Sequence, residues 1–346
     1  MKTAVVFGGS GFIGVFFAKY AIKEMGFSHV YLYDISPLED KDPFRTSFLS
    51  EISHSITFIR GDVRDKITWR PNEEISLIAN FAAIHREPGH APIEYFETNI
   101  KGARNVCEFA EKMKCKNIIF TSSISVYGTA TEPTTESAIP SPLTAYGSSK
   151  LTAEYIHIGW LEKSPQDRNL LIARPGVVFG PGEGGNVTRL IKSILGGYFA
   201  FTGNKKTKKA GIYVEELCRA LFWCLNKKNE NKNLPCIFNF GMRDPIFLIE
   251  YVSSIKIVSS TSRFTPIFPL FLILTASRFL EIISQLFKIN IPINPTRVRK
   301  TVRDNNIIPQ NLISAGYRYK YSLIQALERW KEQKPSDWGS DQSHGK

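Results

Sequence analysis

The sequence predicts an α/β fold, with a doubly wound parallel sheet and a smaller C-terminal lobe. Short apolar runs alternate with helix-length segments, a glycine-rich turn follows the first run, and the alternation weakens after about residue 180. Strands that alternate with helices in this way are typical of βαβ units in a parallel sheet. A chain of 346 residues is long enough to bury the core of such a domain and of a second lobe.

The predicted elements follow in order from the N-terminus. "TAVVF" at 3–7 is a short buried strand, "VFFAKYAIKEM" is a helix, and "HVYLYD" is a strand that ends at Asp34. Further strands are predicted at 56–59, 76–81, 117–120 and 170–173, and helices at 92–114 and 143–162. "GPGEGG" marks a break after residue 180. We expect a first domain at 1–180, a lobe formed mainly by 181–332 with some segments returning to the first domain, and a disordered polar tail at 333–346.

The glycine turn predicts a dinucleotide site. Gly8, Gly11 and Gly14 have the spacing G-x-x-G-x-x-G between a strand and a helix. Glycines at these positions let a pyrophosphate approach the amides at the start of the helix. Asp34 comes 20 residues after Gly14, where a carboxylate accepts hydrogen bonds from the adenosine ribose and repels a 2′-phosphate. These features predict a Rossmann-type domain that binds NAD rather than NADP.

A tyrosine and a lysine stand four residues apart in "YGSSK". Residues at this spacing are neighbours on a helix, so the Lys150 ammonium can lie beside the Tyr146 phenol. A nearby cation lowers the pKa of a phenol towards the working range of a general base. Alone, the pair also fits a solvated tyrosine on an ordinary helix.

Composition and charge narrow the class of partner. The five cysteines are scattered and the histidines are not clustered, which predicts neither a metal site nor disulfides and favours a cytoplasmic location. The N-terminus shows no signal-peptide pattern. A net charge of +12 favours anionic partners, but no aromatic residues are interleaved with the basic runs, so we expect no nucleic-acid binding.

The chain resembles the extended short-chain dehydrogenase/reductase family, in the NAD-dependent nucleotide-sugar epimerase/dehydratase branch that includes UDP-glucose 4-epimerase. The matching motifs are, in order, "GGSGFIG", Asp34, "GDVRD", "NFAA", "TNIKGARNV", "TSSISVYG", "YGSSK" and "RPGVVFGPG". The resemblance implies bound NAD, interconversion of a hydroxyl and a ketone on a nucleotide-linked sugar, and a homodimer.

It also implies roles for individual residues. The catalytic residues would be Ser123, with Ser122 as its fallback, Tyr146 as the base, and Lys150 on the nicotinamide ribose. The implied cofactor-binding positions are Gly8, Gly11, Phe12, Ile13, Gly14, Asp34, Asp62, Val63, Phe81, Ala82, Ala83, Asn99, Tyr146, Lys150, Arg174 and Pro175. Asn99 fits a packing or capping role equally well. The substrate-binding candidates are His85, Ser123, Asn186, Lys209 and Arg299.

The sequence indicates the family more clearly than it indicates which of the family's reactions this chain catalyses. Similar dehydratases carry Thr-Asp-Glu before the "VYG" triplet, where this chain has Ser123, Ile124 and Ser125, so elimination of water is disfavoured. An NAD-dependent epimerase acting on a nucleotide-diphosphate sugar through a 4-keto intermediate is favoured. A dehydrogenase or reductase would use the same residues and stays open. The intact serine, tyrosine and lysine disfavour a non-enzymatic NAD-binding scaffold.

A charge-free segment at 264–277, "FTPIFPLFLILTAS", requires an explanation. It is shorter than the roughly 20 residues of a membrane-spanning helix. It can form a core or dimer helix, line a pocket for an apolar substrate, or rest on a membrane surface through residues 264–289. The membrane alternative supports a second hypothesis, in which the enzyme lies peripherally on the cytoplasmic membrane and acts on a lipid-linked sugar or a sterol-like substrate.

Overall fold

The computed structural model of the chain describes residues 2–87, 89–227, 234–287, 298 and 302–339. Within these ranges fifteen strands are present: β1 (Thr3–Phe7), β2 (His29–Asp34), β3 (Ile56–Arg60), β4 (Leu77–Asn80), β5 (Asn117–Thr121), β6 (Ala130–Thr134), β7 (Asn169–Pro175), β8 (Val177–Phe179), β9 (Phe201–Thr202), β10 (Lys208–Lys209), β11 (Gly211–Tyr213), β12 (Cys236–Phe240), β13 (Ile246–Phe247), β14 (Ile267–Phe268) and β15 (Asn305–Ile307).

The same ranges contain ten α-helices and four short 3₁₀ turns. The helices are α1 (Phe12–Met25), α2 (Pro43–Leu49), α3 (Pro92–Lys112), α4 (Ala145–Glu162), α5 (Asn186–Leu195), α6 (Val214–Asn226), α7 (Leu248–Ser259), α8 (Leu270–Phe287), α9 (Gln310–Ser314) and α10 (Leu323–Gln333). The predicted helix at 143–162 begins at Ala145, because the Thr144 hydroxyl accepts a hydrogen bond from the Gly147 amide at 3.1 Å and caps it.

A seven-stranded parallel sheet forms the centre of the molecule, in the order β3-β2-β1-β4-β5-β7-β12. The chain runs outward in one direction from β1 to β3 and in the other from β4 to β12. In such sheets ligands bind at the carboxyl ends of the strands where the order reverses, which here is between β1 and β4. This crevice is where the glycine turn after β1 and the "NFAA" segment meet.

Helices cover both faces of the sheet. Ala4 and Val6 of β1 point into one core with α1 and α6, where the rings of Phe17 and Phe222 stack at 4.7 Å. The alternate residues of β1 point into the other core, which contains side chains of α3 and α4. The predicted doubly wound α/β fold is confirmed.

A second, smaller sheet has the order β13-β10-β15-β6. It joins β6, which follows the "SVYG" segment, to strands from the later part of the chain. Strand β12 returns to the central sheet and pairs with β7. The later residues therefore contribute to both sheets.

The expectation of a disordered tail from residue 333 is wrong for 333–339. Gln333 ends α10, and residues 335–338 form a 3₁₀ turn that buries Trp338 against Trp330. The Asp337 carboxylate accepts hydrogen bonds from the Trp330 indole at 2.9 Å and from the Gly182 amide at 3.1 Å. One tryptophan anchors a segment whose composition is otherwise polar. Residues 340–346 lie outside the described ranges.

Replacing Trp338 by alanine should lower the free energy of unfolding by about 3 kcal/mol, because a fully packed indole is lost and a cavity remains. Urea unfolding followed by circular dichroism measures the change. Tyr198, which is 73% exposed, supplies the control: its replacement by alanine should change stability by less than about 0.5 kcal/mol. Equal effects at the two positions would contradict the packing of residues 335–338.

The charge-free segment forms β14 and the start of α8. Its large apolar side chains are exposed, together with one from the continuing helix: Phe264, Ile267, Phe268, Phe271, Leu272 and Phe279. The first alternative is a core or dimer helix, and its core form does not hold for these side chains, whereas the dimer form stays a prediction. No helix among the described residues is long and apolar enough to cross a membrane.

Candidate active site

The glycine turn has no room for side chains. Gly8 has a φ of +75°, and a Cβ atom there would lie 2.7 Å from the Ala82 amide nitrogen. A Cβ atom at Gly14 would lie 2.5 Å from the Gly8 carbonyl oxygen. Gly11 begins α1 without a side-chain cap, and the first turn of α1 carries no acidic residue, so its amides can receive a phosphate. The turn therefore fits a dinucleotide cofactor.

Asp34 lies at the end of β2, where its carboxylate accepts a hydrogen bond from the Ser36 amide at 3.3 Å. Sequence reasoning missed its neighbour Arg45 in α2. The Arg45 guanidinium donates to the Ser10 carbonyl at 2.9 Å, and its Nε atom is buried without a hydrogen-bond partner among the described residues. A buried cation with a remaining donor beside the glycine turn also suits an anionic cofactor.

Several predicted cofactor positions surround the same crevice. Phe81 bonds to β1 through its amide and packs its ring edge-on against Phe17. The other half-buried positions on this rim are Phe12, Ile13, Ala82 and Ala83.

Two predicted cofactor residues have other partners. The Asp62 carboxylate accepts hydrogen bonds from Arg64, which hold its pKa below the usual range. Asn99 is buried, and its amide bonds both backbone groups of Ile84 and the Ser149 hydroxyl. Asn99 thus fixes the loop after β4, and its cofactor contact stays a prediction.

Ser123 and Tyr146 meet at the end of β5. Ser123 caps the 3₁₀ turn Ile124–Tyr127 by accepting a hydrogen bond from the Ser125 amide at 3.1 Å. Its hydroxyl also lies near the phenol of Tyr146, in the first turn of α4, and interacts with it. The Ser122 hydroxyl is buried and has no partner among the described residues. The geometry therefore favours Ser123 over its fallback.

The electrostatics at Tyr146 differ from the expectation. Burial raises the pKa of Tyr146 to about 12; the nearby Ser123 hydroxyl opposes this rise, and Glu87 and Tyr95 add to it. Burial also lowers the pKa of Lys150 to about 7, against the attraction of Glu154. The Lys150 ammonium lies over the Phe120 ring, 4.5 Å from its centroid. The predicted lowering of the Tyr146 pKa by Lys150 is absent because Lys150 is itself desolvated and holds its charge weakly.

The loop after β4 places His85 near these residues. Desolvation, and then the charge of Arg86, lowers the pKa of His85, and Lys150 contributes in the same direction. Tyr95 of α3 donates to the Arg86 carbonyl at 2.5 Å, and its ring lies 6.1 Å from that of Tyr146. His85 keeps an exposed surface although its imidazole has lost part of its hydration in this cleft, so it can still face a substrate.

Arg174 is placed differently from its predicted role. Its guanidinium is buried and donates to the Glu154 carboxylate at 2.9 and 2.6 Å and to the Tyr127 hydroxyl at 2.8 Å. The expected contact between Arg174 and a cofactor is therefore not available to its side chain, which is occupied by these partners. Pro175 follows it at the buried end of β7.

The substrate candidates are only partly brought together. The Lys209 ammonium in β10 donates to the Arg303 carbonyl at 2.7 Å, and burial lowers its pKa to about 8. The Arg303 guanidinium donates to the Thr129 hydroxyl, just after the "SVYG" segment, and was missed because it belongs to a basic run. Asn186 is exposed at the start of α5 and bonds Arg189. Arg299 lies outside the described residues.

Within the described ranges, no group of three or more histidine, cysteine or acidic side chains could hold a metal ion. The site is instead formed by a glycine turn, an acid at the end of β2, a serine just after β5, and a tyrosine and a lysine on α4. This combination defines a dinucleotide-dependent enzyme of the short-chain dehydrogenase/reductase type.

The sequence profile of the NAD dependent epimerase/dehydratase family matches residues 4–241. The chain belongs to this family and is an NAD-dependent enzyme of the extended short-chain dehydrogenase/reductase type.

Similar proteins agree with this assignment. The chain is 28% identical over 331 residues to the N-acetyl-alpha-D-glucosaminyl-diphospho-ditrans,octacis-undecaprenol 4-epimerase of Escherichia coli O157:H7, covering 94% of this chain and 93% of the relative. It is 26% identical over 284 residues to the UDP-glucose 4-epimerase of Lactobacillus helveticus, covering 75% and 82%.

Among solved structures, the UDP-glucuronic acid 4-epimerase of Bacillus cereus in complex with NAD has a TM-score of 0.75 at 20% identity, covering 98% of this chain and all of that one. The dTDP-glucose 4,6-dehydratase of Bacillus anthracis has a TM-score of 0.71 at 18% identity, covering 98% and 99%. These likenesses show the shared fold.

Proposed function

We propose that the protein is an NAD-dependent 4-epimerase of a sugar carried on a diphosphate, with a nucleotide-diphosphate sugar as its first candidate substrate. The observation that supports this best is that Ser123, after β5, and Tyr146, in the first turn of α4, interact at the same edge of the central sheet as the glycine turn. It places a hydroxyl and a phenol where a substrate alcohol can meet a dinucleotide.

The residues have complementary tasks in this reaction. Bound NAD supplies a hydride acceptor and returns the hydride at the end of the cycle. Tyr146 takes the proton of the 4-hydroxyl group and later gives it back, while Ser123 holds the reacting oxygen. Because burial raises the pKa of Tyr146 to about 12, the phenolate depends on Ser123 and on a charged Lys150. Rotation of the 4-keto sugar before the hydride returns inverts the carbon with no net redox change.

The small sheet supplies the cations for the substrate side. Lys209 and Arg303 lie together at its centre, close to Thr129, and suit a diphosphate. Residues 1–180 would bind NAD and carry the catalytic groups, and 181–332 would mainly bind substrate. Ile124 and Ser125 offer no acid or base, which keeps dehydration disfavoured.

A substrate panel tests the proposal. Purified protein is incubated with UDP-, GDP- and dTDP-sugars, with and without added NAD, and the products are analysed by NMR. An inverted C4 centre without net NADH is the expected result. Formation of NADH in an amount equal to the product would instead assign a dehydrogenase. If none of the sugars is converted, a nucleotide-linked sugar is excluded as the substrate.

A second candidate substrate is a sugar linked through diphosphate to a polyprenol. It is supported by the Escherichia coli relative, whose name states such a substrate and whose alignment covers 94% of this chain. The exposed apolar set at residues 264–279 also supports it. Exposed Arg263 precedes that set and exposed Arg278 lies within it, and both suit an anionic bilayer. Peripheral membrane contact would bring the enzyme to a substrate that cannot leave the bilayer.

Flotation with phosphatidylglycerol vesicles, together with turnover of a sugar diphosphate on a short polyprenol, tests this candidate. The double change Phe271→Ser and Leu272→Ser should abolish flotation, whereas the control Ile139→Ser, at an exposed position outside the set, should not. Failure of the unchanged protein to float would remove membrane contact. The same face could instead be covered by a second copy of the chain. Light scattering would then show a dimer, and the double change would dissociate it, so the same variants also test the expected homodimer.

A further inference from the structure

A buried ion pair lies directly behind the catalytic lysine. Glu154 and Arg174 are 1% and 4% exposed, and two hydrogen bonds of 2.9 and 2.6 Å join the carboxylate to the guanidinium. Glu154 stands four residues after Lys150 on α4, so their side chains share a helix face. Lys150 is equally buried, at 2% exposure, and its charge interacts with Glu154.

The pair is part of a chain of hydrogen bonds that joins the catalytic elements. Arg174 of β7 donates to the Tyr127 hydroxyl at 2.8 Å, and Tyr127 donates to the Asn239 side-chain carbonyl of β12 at 2.8 Å. Tyr127 closes the 3₁₀ turn that begins after Ser123. The network thus connects the element that carries Ser123 with the helix that carries Tyr146 and Lys150.

We propose that Glu154, held in place by Arg174, is a positioning residue that keeps the Lys150 ammonium charged and directed at the reacting groups. Two buried cations flank one buried anion in this arrangement. Glutamine at position 154 would leave Lys150 beside Arg174 with no counter-charge, which favours the neutral amine. Removing the Arg174 charge would instead leave the Glu154 carboxylate to Lys150 alone, which favours the ammonium.

The other ionisable groups around Lys150 bear on the same balance. Those that interact with it are Glu154 and His157 on α4 and His85 on the loop after β4. Burial lowers the pKa of His157 to about 4, so His157 is neutral near pH 7. Desolvation and the charge of Arg86 lower the pKa of His85, which disfavours its charged form as well. Glu154 is therefore the counter-charge of Lys150 among these groups. Since the pKa of Lys150 is about 7, its ammonium is present below that pH and is lost as the pH rises through it.

The charge of Lys150 can be followed without turnover by NMR of protein labelled with [ε-¹³C]lysine, the signal being assigned by its absence in Lys150→Met. In the unchanged protein the signal should titrate near pH 7. Glu154→Gln should lower the midpoint by about one to three pH units, and Arg174→Met should raise it. Glu154→Asp should restore most of the shift. The matched control is Glu111→Gln on α3, which removes a carboxylate paired with Lys163 and Arg168. This change should leave the Lys150 midpoint where it is.

If Glu154→Gln and Arg174→Met shift the Lys150 midpoint in opposite directions, the effect is electrostatic. Loss of packing alone has no reason to act with opposite signs in the two variants. In the assay, Glu154→Gln should lower kcat about tenfold or more with KM within twofold, because fewer molecules carry the ammonium at a given pH. A folded Glu154→Gln protein with an unchanged midpoint would overturn the proposal. If that variant does not fold, an unchanged or lowered midpoint in Arg174→Met overturns it. The inference rests on the proposed role of Lys150, but the NMR midpoint does not depend on the substrate, so the two can fail separately.

Discussion

Replacing Tyr146 by phenylalanine should lower kcat about 10³-fold, the range expected for loss of a general acid and base. The ring still fills its place beside Tyr95, and only the hydroxyl near Ser123 is removed. NAD affinity and thermal stability should stay close to those of the unchanged protein. Coupled assays of epimerisation, with NAD binding measured by calorimetry, separate these quantities.

Tyr155 supplies the matched control for this change. It lies on the same helix, is 61% exposed, and its replacement by phenylalanine should leave kcat unchanged within about twofold. A Tyr146→Phe protein with nearly full activity would show that another group takes the proton. The assignment of the reaction to the Ser123–Tyr146 pair would then be lost.

Alanine at Gly8 should lower the free energy of unfolding by about 2–5 kcal/mol and weaken NAD binding at least tenfold. The left-handed φ of +75° costs about 1–2 kcal/mol for any residue with a Cβ atom. The new methyl group would lie 2.7 Å from the Ala82 amide nitrogen, a main-chain atom that yields only if the crevice widens, and such overpacking costs about 1–3 kcal/mol. Chemical unfolding and calorimetric titration with NAD measure the two effects.

Gly26 isolates the cost of the backbone conformation. It has a φ of +67° at the end of α1, and a Cβ atom there would meet nothing within 4 Å. Gly26→Ala should therefore lower stability by about 1 kcal/mol and leave NAD affinity intact. If Gly8→Ala behaves like Gly26→Ala, the close approach of the glycine turn to β4 has no role in holding the cofactor.

The parts of the fold that sequence reasoning predicted are those with local signals. Strand β1 is buried on both faces and reads as a continuous apolar run, and the glycines that follow it are required by the turn itself. The pair Tyr146 and Lys150 could be identified because four residues on a helix set their spacing.

The missed features depend on residues far apart in sequence. Glu154 looks like a solvent-facing helical residue until Arg174, 20 residues later, is folded against it. The pKa of Lys150 could not be foreseen because it depends on the depth of burial, which spacing does not give. Trp338 was assigned to a disordered tail because one aromatic residue among polar ones gives no periodic signal, although its pocket on Trp330 is well formed.

The contacts of residues 334–338 bear on how the protein is made. Lys334 pairs with Asp42 across 292 residues, and Asp337 holds the Gly182 amide, whose carbonyl accepts from Arg45 beside the glycine turn. During synthesis the first strands emerge from the ribosome long before these partners do. Until residue 338 has emerged, the part of the crevice beside Arg45 lacks these contacts, so tight retention of NAD should follow only after residues 334–338 have packed.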